Sequence, residues 1–310
     1  MTDSDKIVYP QWFSQALSTH SESGCAMVDD CSINYVSWGD RDKPGLVLLH
    51  GSNAHLEWWR PIAPLLADQF YVVAMDSSGS GNSGWRKQYS RRQFASEVMG
   101  VAKAAGISDK FFVAGHSFGA FNTLEAGYCF GEELAGVVMI DFAIQTPATA
   151  AEFIAMRETL LDKPQRPTRV YANHQEAKSR FRLVPEQSCK NPFLVDYIAE
   201  QSLREVEGGW TWKFDPGMFR NLDVGLEEVV TQTEKLIATA CPAAFIMAET
   251  STDYSREAAA YTKKLVAGKY PFLNVPETFH HLMFDEPLAL AMTMKTLLLS
   301  WYCQPLGHAS

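Results

Sequence analysis

The chain has 310 residues and a mass of 34.6 kDa, with 46% apolar and 20% charged residues, enough to bury a substantial core. Its 20 glycines and 15 prolines are an ordinary share, which excludes collagen-like and low-complexity architecture. A net charge of −9 argues against nucleic-acid binding, and no run of about 18 apolar residues is present to span a membrane.

The first ten residues, MTDSDKIVYP, lack the positive start and apolar stretch of a secretory signal, so a cytoplasmic protein is expected. The six cysteines (Cys25, Cys31, Cys129, Cys189, Cys241, Cys303) never form C-x-x-C, and reduced thiols are expected rather than a zinc site or disulfide framework. Residues 25–38 read as an antiparallel hairpin. LVLL at 46–49, FYVVAM at 70–75, FFVAG at 111–115, GVVMI at 136–140 and AAFIMA at 243–248 read as strands buried on both faces, because they show no polar alternation. Between them, Pro61 opens a helix running to Ala67. Ser90 caps another, with Phe94, Val98, Val101, Ala102 and Ala105 at helical spacing and Gly106 at its end. This alternation predicts a mostly parallel, doubly wound α/β sheet with right-handed crossovers.

The rhythm breaks over residues 144–226, which carry Pro147, Pro164, Pro167, Pro185, Pro192 and Pro216. Helices are expected at 149–161, 173–181 and 193–206, and no buried strand. Alternation returns near Leu226. The chain therefore divides into a core, residues 1–143 and 227–310, and an insertion at 144–226.

The strongest chemical signal is Gly115-His116-Ser117-Phe118-Gly119, set between the FFVAG strand and the helix-like FGAFNTLEAGYCF. This is the setting of a G-x-S-x-G nucleophile elbow. The glycines allow a sharp turn, the hydroxyl stands proud of the sheet, and the helix N-terminus faces developing negative charge.

Here the chain resembles the α/β-hydrolase superfamily, over roughly residues 25–143 and 227–310. His50-Gly51-Ser52-Asn53 looks like its H-G-x oxyanion turn, which implies that the N–H groups of Ser52 and Phe118 form the oxyanion hole. His50 itself reads as a structural histidine bonding nearby loops. Asp76 to Ser83 resembles the D-x-x-G-x-G-x-S loop, with serines replacing the usual aromatic or basic residues. Ala54-His55-Leu56-Glu57-Trp58-Trp59 resembles an esterase-like subgroup of bacterial hydrolases with A-H-x-x-W-W after the oxyanion turn.

The superfamily order places the catalytic histidine last. In VPETFHHLMFDEP, Pro287 follows His280 by the customary seven positions, which selects His280; His281 is one position off and is expected to point elsewhere. Many relatives carry the acid in a G-E-x-D loop after the AAFIMA strand, but Ser251 stands at that Asp position. Asp141, at the end of the GVVMI strand, is favoured over Asp253, and Glu249 follows. The acid orients the imidazole without taking the proton.

The insertion resembles a helical cap. Of its aromatics Phe153, Tyr171, Phe181, Phe193, Tyr197, Trp210, Trp212, Phe214 and Phe219, about two thirds are expected to build its own core and the rest, Trp212 among them, to line an apolar cavity. Lys178, Arg180 and Arg182 form a basic cluster that reads as a solvated helix face, with a substrate carboxylate as the alternative ligand.

The resemblance implies a serine hydrolase, free of cofactor and metal, that cleaves a carboxylic ester of a small, mostly apolar molecule through an acyl-enzyme. Ser117 is the nucleophile, His280 the base and Asp141 the acid. A monoalkyl phthalate is one substrate idea. Neither nucleic acid nor membrane is an expected partner, and a homo-oligomer remains open. Serine at the elbow sets the chain apart from haloalkane dehalogenases and epoxide hydrolases, which use Asp there. C–C bond hydrolases, lactonases, thioesterases and perhydrolases share the same triad. The same fold also serves cofactor-independent dioxygenases and slow-turnover ligand receptors.

Overall fold

The structure is a computed structural model and describes residues 9–162, 167–224, 229 and 231–303. Eight strands form the main sheet: β1 Glu22–Val28, β2 Cys31–Trp38, β3 Gly45–Leu49, β4 Tyr71–Met75, β5 Phe111–His116, β6 Leu134–Ile140, β7 Ala243–Ala248 and β8 Phe272–Val275. Their spatial order is β1-β2-β4-β3-β5-β6-β7-β8. The first two strands run antiparallel to their neighbours, and all later pairings are parallel. This is the doubly wound α/β sheet the sequence predicts.

Strands β3, β4, β5 and β7 are buried at every position. Alternate residues feed opposite sides: Leu46 and Leu48 join one apolar cluster, Val47 and Leu49 the other. Both faces are covered by helices, which is why these strands read as unbroken apolar runs. Fully burying each such side chain contributes about 1.5–3 kcal/mol before entropy is counted.

The covering helices include α1 Gln11–Ser18, α2 Ala63–Leu66, α3 Arg91–Ala104 and α4 Phe118–Phe130. The Ser90 hydroxyl accepts from the Gln93 N–H and caps α3. Gly106, at φ +85°, takes the left-handed conformation beyond its end.

Within residues 144–226 lie α5 Pro147–Leu161, α6 His174–Ser179 and α7 Pro192–Gln201. The helix expected at 193–206 stops five residues early. Residues Leu203–Val206 instead pair antiparallel with Gly209–Trp212. Gly208 and Gly209, at φ +84° and +143°, reverse the chain there, and the tryptophans beyond them suit a strand better than a helix. Pro164 and the boundary expected at 226–227 lie outside the described residues. Downstream are α8 Gln232–Ala238, α9 Arg256–Val266, α10 Leu282–Asp285 and α11 Pro287–Tyr302. Among the described residues, no helix is long and apolar enough to cross a membrane.

Candidate active site

Ser117 sits between β5 and α4 with φ 54° and ψ −116°, a conformation that costs a non-glycine residue about 1–3 kcal/mol. Its N–H is bound to the Ile140 carbonyl at 2.9 Å, so neighbouring β6 holds the strained turn in place. The flanking glycines are steric necessities. A Cβ on Gly115 would lie 2.3 Å from the Gly119 carbonyl oxygen, and one on Gly119 would lie 2.6 Å from the Leu49 and His50 carbonyl oxygens. Backbone cannot yield as a flexible side chain can. Gly119→Ala should therefore cost ~1–3 kcal/mol, read as a lower urea midpoint, by forcing α4 away from β3.

Beyond β6, Asp141 is buried at φ 45°. Its Oδ2 accepts from His280 Nδ1 at 2.7 Å and from the Ser251 hydroxyl at 2.5 Å. Its Oδ1 accepts from the Ala248 N–H at 2.9 Å and the Tyr254 hydroxyl at 3.0 Å. Four donors fill the lone-pair sites of an ionised carboxylate. They also fix the tautomer of His280: Nδ1 carries the proton, and Nε2 is left with a lone pair.

Asp253 lies on that other side, its Oδ2 3.6 Å from His280 Nε2, beyond hydrogen-bond length. Burial pushes the Asp253 carboxyl pKa upward, opposed by His280. Glu249 is turned elsewhere and accepts from the Glu277 N–H at 2.8 Å. Among the described residues no hydrogen bond joins the Ser117 hydroxyl to His280, and such bonds are often long in unliganded sites.

The remaining histidines are sorted by their partners. His50 Nε2 accepts from the Ser77 N–H at 3.0 Å, and its Nδ1 meets the Gly51 carbonyl at 2.8 Å. It bonds loops, as expected from the sequence. His116 Nε2 meets the His280 carbonyl oxygen at 2.8 Å, and burial pushes its pKa down to about 3. His281 does not point away from the site. It lies in the same cavity wall, and burial among the other histidines lowers it to about 2. The segment between β8 and α10 is irregular, so successive side chains there need not face opposite ways.

The D-x-x-G-x-G-x-S loop is structural. Asp76 accepts from the Leu56 N–H at 2.7 Å and the Asn82 N–H at 2.9 Å, anchoring the turn before Trp58. His55 Nε2 meets the Ser202 hydroxyl at 2.8 Å and ties that turn to the end of α7. Burial holds the His55 imidazole well below its ordinary 6.5. The unfolded chain thus takes up a proton that the folded chain refuses. The associated stability is complete above pH 6.5 and is lost as pH falls below it toward the folded value. Between pH 7 and pH 5 the urea midpoint should fall, and fall less steeply in His55→Gln.

Ser117, His280, Asp141, Ser52, Phe118 and Asp253 all line one cavity of about 560 Å³. Phe153, Met156, Arg157, Val184, Pro185, Phe219, Leu222 and Val224 also line its wall. Trp212 is not among them. It packs edge-on to Tyr171 at 6.0 Å, within a separate small cluster with Ala177 and Leu203. Lys178 is paired with Asp196 at 2.9 Å and Glu200 at 3.1 Å, away from the cavity. The arginines in the wall are Arg91 and Arg157, which sequence reasoning missed. Arg91 lies 4.6 and 4.1 Å from the Phe118 and Phe121 ring centroids and donates to Asn122 Oδ1 at 2.9 Å. An arginine in the first turn after the Ser90 cap was the available signal.

The sheet order and the strained turn at the carboxyl end of β5 define an α/β-hydrolase fold. The alpha/beta hydrolase family model matches residues 46–293, and the chain belongs to that family. It is 27% identical over 193 residues to a serine hydrolase-like protein of Danio rerio, covering 57% of each. It is 36% identical over 98 residues to a fluoroacetate dehalogenase of a Burkholderia species, covering 30% of this chain and 31% of that one. The chain thus spans about half the length, or less, of these curated relatives. The solved E-2-(acetamidomethylene)succinate hydrolase superposes with a TM-score of 0.74 at 20% identity, covering 91% of this chain and all of that one. A thermophilic esterase from Thermogutta terrifontis gives 0.68 at 15% identity, covering 90% and 99%. At these identities the likeness is one of fold.

Proposed function

We propose that this chain is a serine hydrolase that cleaves carboxylic esters of small, mostly apolar molecules through an acyl-enzyme. One observation carries the reading: the buried 2.7 Å pair of His280 and Asp141 opens onto the cavity that presents Ser117 on its strained turn. A serine hydroxyl is a weak nucleophile until a base removes its proton. His280 Nε2 takes that proton as Ser117 Oγ bonds to the acyl carbon. The N–H groups of Ser52 and Phe118 hold the resulting oxyanion. Collapse expels the alkoxide, which receives the proton from His280. Water, deprotonated by the same imidazole, then releases the acid. Asp141 keeps the ring oriented and its charged form stable throughout.

In this reading residues 144–226 are a cap. The apolar side chains Phe153, Met156 and Phe219 support an apolar substrate, and the volume lies within the range of small-molecule sites. The serine hydrolase-like relative supports the serine-hydrolase part of this reading. A panel of p-nitrophenyl esters tests it. Turnover of short acyl esters, stopped by one equivalent of a fluorophosphonate, is the expected result. No turnover of any ester, with Ser117 unlabelled, overturns it. Phe153→Ala should shift preference toward bulkier esters and weaken small ones by roughly 25 cal/mol per Å² of lost contact. An equal change for all esters would contradict a cap that selects by shape.

A further inference from the structure

Three histidines meet in the cavity wall, and the proposed hydrolysis uses only one of them. His116, His280 and His281 are 1%, 2% and 3% exposed, and one ring nitrogen of each lies within 4.8 Å of the other two. Their ring centroids are 4.7, 4.8 and 5.7 Å apart.

Their bonding leaves acceptors unspent. His116 commits Nε2–H to the His280 carbonyl, and its buried Nδ1 has no hydrogen-bond partner. His280 commits Nδ1–H to Asp141 and keeps the Nε2 lone pair. Both ring nitrogens of His281 are buried with no hydrogen-bond partner. Burying polar atoms this way costs free energy that ordinary packing does not return. A histidine whose far N–H is held by a carboxylate or carbonyl, with the near nitrogen bare, is oriented as metal-binding histidines are. His280 meets that description.

We propose that His280 Nε2 and one ring nitrogen each of His116 and His281 form a binding site for a borderline divalent transition-metal ion of the Zn²⁺ or Cu²⁺ class. Imidazole nitrogen suits these ions, whereas Mg²⁺ and Ca²⁺ require oxygen. Metal–nitrogen bonds of about 2.0–2.1 Å bring the three donors to roughly 3.3 Å from one another, so the rings rotate inward on binding. A fourth position is left to water. The bound ion takes the lone pair on His280 that deprotonates Ser117, so metal occupancy and ester turnover exclude each other. That consequence rests on the hydrolase reading; binding itself does not.

The test reads binding without turnover. Wild-type protein is titrated with ZnCl₂ in a calorimeter and with Co²⁺ by absorption spectroscopy, beside His281→Phe, His281→Gln and, as a control outside the cavity, His174→Ala. One Zn²⁺ per chain at micromolar or tighter affinity is expected, with tetrahedral Co²⁺ bands. Both His281 variants should bind at least tenfold more weakly, and His174→Ala should match wild type. Where esters are turned over, Zn²⁺ should inhibit wild type at the concentration that fills the site, EDTA should restore it, and His281→Phe should resist at least tenfold. Unchanged affinity in both His281 variants, no stoichiometric binding below millimolar Zn²⁺, or loss of binding in His174→Ala alone, which marks an adventitious ion only, overturns the proposal.

Discussion

Ser117→Ala should reduce ester turnover by on the order of 10³–10⁶-fold and abolish covalent labelling by a fluorophosphonate. The substitution deletes one oxygen, and the His280–Asp141 pair stays in place because it draws nothing from the Ser117 side chain. Alanine is as strained as serine at φ 54°, so thermal stability should hardly move. The loss should fall on kcat. The cavity walls formed by Trp58, Phe153 and Phe219 are untouched, so binding should largely survive. Whatever rate remains comes from the oxyanion donors and from binding alone. Peptide mass spectrometry of the labelled wild type should place the adduct on Ser117. Turnover by Ser117→Ala within tenfold of wild type, or an adduct on another serine, would remove Ser117 from the chemistry.

The parts of this molecule legible in the sequence are those where one physical demand overrides all others. Strands β3, β4, β5 and β7 are covered on both faces, and their unbroken apolar runs announce it. Edge strand β8, FLNV, is only partly buried and carries an exposed Asn274, so nothing marked it out. Helix α1 buries only Phe13 and Ala16 over eight residues, too short a pattern to read. The hairpin at 203–212 was masked by the periodicity of α7, although Gly208-Gly209 was its signal. Aromatic content showed that the insertion packs against something. Direction is a tertiary property, and so Trp212 faces a small satellite cluster while Phe153 and Phe219 face the cavity. His281 shows the same limit: its distance in sequence from His280 could not tell which wall its ring would join.

The acid is where sequence and fold must be read together. Sequence showed Ser251 at the customary acid position and an aspartate at 141. Only strand pairing relates them: β6 lies beside β7 with Ile140 opposite Ile246, so Asp141 emerges next to Ala248 and the loop carrying Ser251. The Ser251 hydroxyl, at the position where many relatives carry the acid, donates to Asp141. Asp141→Asn should therefore lower turnover by about 10³–10⁴-fold, whereas Asp253→Asn should change it by less than about tenfold. An amide in place of the carboxylate must direct an NH₂ group toward some of the four donors. If it meets His280, the ring must accept at Nδ1, and Nε2 then carries the proton it should be receiving. If it meets Ala248 N–H and Tyr254 instead, two donors lose their acceptor. Either way a buried hydrogen bond is lost, at a cost of about 1–3 kcal/mol, so turnover must be compared on samples shown by melting curves to be folded. A carboxylate returned from the neighbouring loop should repair the defect. Ser251 Oγ lies 2.5 Å from Asp141 Oδ2, so the Asp141→Asn, Ser251→Asp double variant should recover part of the lost rate. Rescue separates a missing charge beside Nδ1 from general damage to the sheet edge. The assignment fails if Asp253→Asn is the variant that loses a thousandfold while Asp141→Asn keeps its turnover.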